Sequence, residues 1–198
     1  MSSKRVATQT KTEILDAAWD LVSRRGADVS VSDIAKQVGI SRQSIYLHFG
    51  SRGGLLIALV RRADDRFDIK TALFDAFALP DPQARLERTL DVWLDFVPKI
   101  YPVAKDLIRL RDTDAESAAA WEDRMQELRS WLAILFTSLE ADGVLPHGWT
   151  ARDASEVFWA HSSVQVWGLL TSDCGWSADK ARRHLRQFLV SSMVAKRG

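Results

Sequence analysis

At 198 residues, with 46% hydrophobic and 27% charged side chains, the chain can bury a full core without help from disulfides or metals. No apolar run approaches the roughly 20 residues that span a bilayer; residues 1–11 are polar and basic, unlike a secretory signal, and the expected location is cytoplasmic. A single cysteine, Cys174, excludes an internal disulfide and a cysteine metal cluster.

Helical periodicity recurs almost throughout, and no stretch alternates as a half-buried strand does, so the predicted class is all-α. A first helix is expected from Thr10 to Arg25, with Ile14, Leu15, Ala18, Leu21 and Val22 on one face and Gly26 as its stop. Ser30 and Asp33 have the spacing of a capping box at the start of a second helix, which ends near Val38 and Gly39. Ser41 opens a third, closing near His48, and a fourth runs from Gly53 into the Asp75 region. Pro80 and Pro82 interrupt the pattern. A fifth helix covers Gln83–Val97, a bend at Pro98–Pro102 leads into a sixth ending at Arg111, and a seventh spans Ala115–Ala141. Thr150 caps an eighth that lasts to Asp173, and Ser177 caps a ninth that continues to Ala195.

Residues 30–49 have the grammar of a helix-turn-helix. Ile34, Ala35 and Val38 form an inner face, Gly39 supplies a left-handed turn, and Ile40 and Ile45 complete a small core. That packing turns Arg42, Gln43 and Ser44 outward on the first turn of the third helix. Arginine can grip guanine O6 and N7 as a fork, and glutamine can pair with adenine N6 and N7. Tyr46, His48 and Arg52 carry the donors that phosphates accept, and Ser30, Ser32 and Lys36 add to them from the preceding helix. The charge distribution agrees: residues 1–56 hold 8 Lys+Arg against 5 Asp+Glu, leaving 19 against 21 for the remainder.

Together, Ile14-Leu15 with Ala17-Ala18 and Gly26, Ser30 to Ala35, Val38 to Ser41, Ile45 to Phe49, Ser51-Arg52 and Leu55-Leu56 make Lys11–Leu56 resemble the DNA-binding domain of the tetracycline-repressor (TetR) family. The resemblance implies a nine-helix all-α architecture: a three-helix DNA-binding domain at 1–52 and a helical effector-binding and dimerisation domain at 53–198. It implies base or backbone contacts from Ser32, Arg42, Gln43 and Ser44, and phosphate contacts from Tyr46, His48 and Arg52. Three positions depart from the family pattern: Gln43 replaces a small residue, Arg52 the commoner lysine, and Gly53-Gly54 a charged pair, which suggests a looser joint at the fourth helix.

The expected partners are an operator in double-stranded DNA, a second copy of the chain and a small-molecule effector, with no membrane and no cofactor. The eighth helix is apolar on several sides, as a dimer interface requires. Val164, Trp167, Gly168, Leu185, Phe188 and Leu189 are its candidate residues. Candidate effector contacts are Trp93, Phe96, Trp121, Trp131 and Phe158, which suit a flat apolar, aromatic or cationic ligand, with His161 and Gln165 as polar contacts and Arg109 as the partner for an anionic ligand. Core and interface roles fit the same tryptophans. Four histidines without metal-ligand spacing, and no glycine-rich phosphate loop, argue against an enzyme. The expected function is a ligand-released dimeric repressor, the alternative a regulator with no small-molecule effector.

Overall fold

Burial of apolar stripes and a series of serine and threonine caps shape the chain. A computed structural model describes residues 2–25 and 29–194. Its elements are α1 (Ser2–Arg25), α2 (Val31–Val38), α3 (Arg42–Phe49), α4 (Arg52–Phe67), α5 (Ile69–Phe77), α6 (Pro82–Leu110), α7 (Ala115–Ala141), α8 (Ala151–His161), α9 (Val164–Gly168) and α10 (Ala178–Met193). A π-helical turn, Leu169–Asp173, follows α9. The protein is all-helical, and the described residues contain no strand. None of their helices is long and apolar enough to cross a membrane.

The residues pack as two compact units, Met1–Arg66 with Pro102–Asp123, and Phe67–Tyr101 with Arg124–Gly198. The expected boundary at 52/53 concerns function; by packing, α4 and residues 102–123 belong with the helix-turn-helix. In the first unit, Ile14, Ala18, Ile34, Ala35, Ile45, Leu55 and Leu59 are almost wholly buried. Asp16 on α1 accepts a paired hydrogen bond from Arg62 on α4, at 2.9 and 3.2 Å. In the second unit, Leu86, Leu90, Leu94, Leu135, Phe136, Phe158, Ala181 and Leu189 form the core. Glu87, Asp91 and Asp95 on α6 face Arg182 and Arg186 on α10 in a ladder of ion pairs between 2.7 and 3.2 Å. Both charge sets recur every fourth residue, so each lies along one helix face.

Several helix limits differ from the periodicity reading. The helix α1 starts at Ser2, well before Thr10, while its expected stop, Gly26, lies outside the described residues, as does Ala195. The expected fourth helix divides at Asp68, whose left-handed backbone (φ 47°) separates α4 from α5; aspartate enters this region more readily than most residues. The opposite correction applies at Pro98 and Pro102, which α6 passes without ending. Leu90, Trp93, Leu94, Val97, Ile100, Val103, Ala104 and Leu107 make one buried stripe in unbroken phase across both prolines. Burying that stripe, at about 1.5–3 kcal/mol per large side chain, outweighs the roughly 3 kcal/mol that an interior proline costs. The expected eighth helix stops at His161, and Ser163 recaps the chain for α9 by accepting the Val166 N–H at 3.2 Å. The carbonyl of buried Ser162 at this break accepts the Trp93 indole N–H at 2.8 Å.

Candidate nucleic-acid interface

Two caps and a glycine hold α2 and α3 in place. Asp33 N–H donates to the Ser30 hydroxyl at 3.1 Å, and the Asp33 carboxylate accepts from the Ser30 N–H at 3.0 Å and from its hydroxyl at 2.7 Å. These hydrogen bonds, ahead of the Arg25 guanidinium 3.5 Å away, hold the Asp33 carboxyl below its ordinary range. Gly39 adopts φ 76°, and the Gly39 and Ile40 amides both turn back to the Ala35 carbonyl, closing α2. Two residues later, the Ser41 hydroxyl accepts the Ser44 N–H at 3.1 Å and starts α3. Ile45 and Phe49, one turn apart, are the buried side of α3.

The same arrangement sorts the expected DNA contacts. Ser32, Lys36, Arg42 and Gln43 are exposed, and Tyr46 and His48 are half-buried. Ser44 is half-buried, with its hydroxyl 3.0 Å from that of Ser41. Ser30 has its hydroxyl committed to the cap rather than held out for a phosphate. Arg52 departs further from its expected role: its guanidinium donates to Asp106, a carboxylate only 5% exposed. Asp106 also accepts from Arg109 at 2.7 Å. Leu47, which had no role assigned from sequence, is 81% exposed on α3. Gly54 is a point of close contact rather than slack, since a Cβ there would lie 2.0 Å from the Phe49 carbonyl oxygen.

The expected effector contacts separate. In the second unit, Trp93, Trp131 and Phe158 line a small, partly open cavity with Leu73, Phe77, Thr89, Leu128, Leu132 and Ser162. Its volume is about 10 Å³, room for about one water. Phe96 is buried beside Trp93, with ring centroids 5.9 Å apart, and does not reach the cavity. His161 Nδ1 lies 2.9 Å from the Val157 carbonyl, and Gln165 is exposed. Arg109 and Trp121 belong to the first unit, where Arg109 pairs with Asp106 and Arg111 sits over the Trp121 ring. Leu73 and Phe77, one turn apart on α5, were legible as an apolar pair but not as cavity wall.

The interface candidates are corrected in the same way. Val164, Trp167, Gly168, Leu185 and Leu189 are covered by their own chain, and Phe188 alone of the six is exposed. At Gly168, the close neighbour is the Tyr101 side chain of the same chain, its hydroxyl 2.7 Å and its ring 2.9 Å from where a Cβ would stand. Among the described residues, no group of histidine, cysteine and carboxylate side chains could hold a metal.

Residues 14–59, from the buried face of α1 into α4, match the model for bacterial regulatory proteins of the tetR family. This N-terminal segment is a helix-turn-helix of the TetR-family type. The chain is 29% identical over 167 residues to the transcriptional repressor BepR of Brucella suis, covering 80% of this chain and 79% of BepR. It is 28% identical over 137 residues to the transcriptional regulator EthR of Mycolicibacterium smegmatis, covering 67% of this chain but 61% of EthR. The fold is that of TetR regulators along nearly the whole chain. A transcriptional regulator from Saccharomonospora viridis, solved with choline, superposes with a TM-score of 0.72 at 23% identity, covering 96% of this chain and 100% of that one.

Proposed function

We propose that this protein is a dimeric repressor of the TetR-family type that reads a palindromic operator with α3. The observation that carries the reading is the exposed Arg42-Gln43 pair on the first turn of a helix capped by Ser41 and anchored by Ile45 and Phe49. Phosphate contacts from Ser32, Lys36, Tyr46 and His48 would set the register, and Arg42 and Gln43 would choose the bases. BepR, a repressor by name, supports the sign of regulation. A dimer bound over a promoter excludes polymerase and doubles the readout of a small module.

For the dimer contact we favour the outer faces of α8 and α10. There the exposed Phe188 ring lies 5.2 Å from that of His161 and 6.5 Å from that of His184, which meets Trp176 at 5.2 Å.

For the effector we favour an apolar, aromatic or cationic molecule entering beside Trp93, Trp131 and Phe158, as choline does suit aromatic surroundings. The choline-bound relative supports this class. The cavity must first widen, because an ordinary ligand site measures about 300–1,000 Å³. Its small volume favours the second reading, a regulator without an effector, for this cavity alone, since an open groove of about 860 Å³ lies between α7 and α8 of the same unit. Selection of bound DNA from a random pool, with and without choline and aromatic cations, tests both. The expected result is a palindrome whose binding weakens steeply with salt and is released by a ligand. Palindrome binding that no ligand alters favours the second reading, and absence of DNA binding defeats both.

A further inference from the structure

Leu47 stands out among the large apolar residues described. It is 81% exposed, against 57% for Leu169, 50% for Ile134, 40% for Phe188 and 38% for Phe74. Scattered apolar side chains are ordinary on protein surfaces and by themselves signify nothing. The position of Leu47 is what sets it apart. With 3.6 residues per turn, it projects about 180° from the mean direction of Ile45 and Phe49, the buried side of α3. It therefore occupies the outermost ridge of the helix assigned to DNA reading. Gln43, exposed and one turn earlier, shares that ridge.

A leucine has no hydrogen-bonding group, so on this ridge it can neither hold a phosphate nor pair with a base edge. The major groove offers one chemical feature that it can read, the C5-methyl of thymine. Four residues of helix rise about 6 Å, close to two base-pair steps of about 3.4 Å, so Gln43 and Leu47 would meet bases about two positions apart. We infer that Leu47 is a specificity-determining residue that recognises a thymine methyl about two base pairs from the base read by Gln43. This rests on the DNA-reading role of α3 proposed above.

The test uses the full chain and the sites selected from a random pool. Each thymine of a selected site is replaced in turn by uracil, which removes the methyl and preserves pairing. One position in each half-site is expected to lose about threefold to fourfold in affinity for the wild-type protein, and about tenfold when both half-sites are changed. The Leu47→Ala protein should be indifferent to uracil at that position and, in a repeated selection, should accept other base pairs there. Leu47→Gln, which keeps a long side chain without the apolar surface, should also lose the methyl effect. The inference is overturned if the wild type tolerates uracil at every thymine, or if Leu47→Ala keeps the full uracil penalty. Failure of the wild type to select any DNA overturns the DNA-reading role itself, which separates the two claims. Since the side chain lies outside the core, helical circular dichroism of both variants should match the wild type.

Discussion

The helix-turn-helix and the second compact unit are both helical, yet their polar contacts work over different ranges of sequence. In the helix-turn-helix, Ser30 with Asp33, Ser41 with Ser44, and Gly39 with Ala35 all act within four residues. In the second unit, Trp93 reaches Ser162, Arg85 reaches Ser138 and Asp142, and Arg186 reaches Glu87 and Asp91. Reading DNA requires an outward surface held at a fixed angle, which short motifs can deliver. A body that encloses a cavity depends on side chains that only folding brings together.

The largest effect is expected where distant helices meet. Phe158→Ala, at a side chain 1% exposed and in T-shaped contact with Phe136, should cost about 3–5 kcal/mol in denaturant unfolding. A loss below about 1 kcal/mol would mean that this core is loosely packed. Gly54→Ala should cost about 1–3 kcal/mol, because its Cβ meets a backbone carbonyl that no rotamer change relieves. The helix propensity of alanine alone predicts the opposite sign, so a rise in the thermal midpoint would refute the close approach.

Arg52→Ala separates a structural pairing from a phosphate grip. With Asp106 left buried, stability should fall by about 1–3 kcal/mol, while the slope of DNA affinity against salt stays nearly unchanged. Lys36→Ala should do the reverse, lowering the slope by about two, one for each subunit of the dimer, at constant stability. Ser30→Ala, which removes one cap, should cost about 1 kcal/mol by the same unfolding measurement.

The smallest effect sought is a dependence on acid. Hydrogen bonds from Gln83 and then Arg186 lower the Glu87 pKa, so its contribution is present above the unfolded carboxyl pKa and is lost as pH falls through the folded value. Urea midpoints measured from pH 7 downward should therefore fall less steeply for Glu87→Gln than for the wild type. Parallel curves would remove Glu87 from the acid response.

Ser30, Asp33, Gly39 and Ser41 could be assigned their backbone roles from sequence because a cap or turn needs only a side chain and an amide three or four residues away. The inner residues Ile34, Ala35 and Ile45 were equally legible, since helical periodicity reports a buried face without naming what covers it. The same limit explains the misplaced interface: an apolar stripe such as Val164, Trp167, Leu185 and Leu189 demands burial, and here its own chain supplies it. Pro98 and Pro102 resisted a local reading because their cost is local while the burial that offsets it is not. The sequence by itself determined the helical class, the helix-turn-helix and its outward reading turn, all set by chemistry within a few residues. Only the tertiary structure decided that Arg52 is tied to Asp106, that Trp93 caps a break at Ser162, and that Val164, Trp167, Leu185 and Leu189 are covered by their own chain. Those outcomes depend on which distant groups come within a few ångströms, and periodicity carries no record of that.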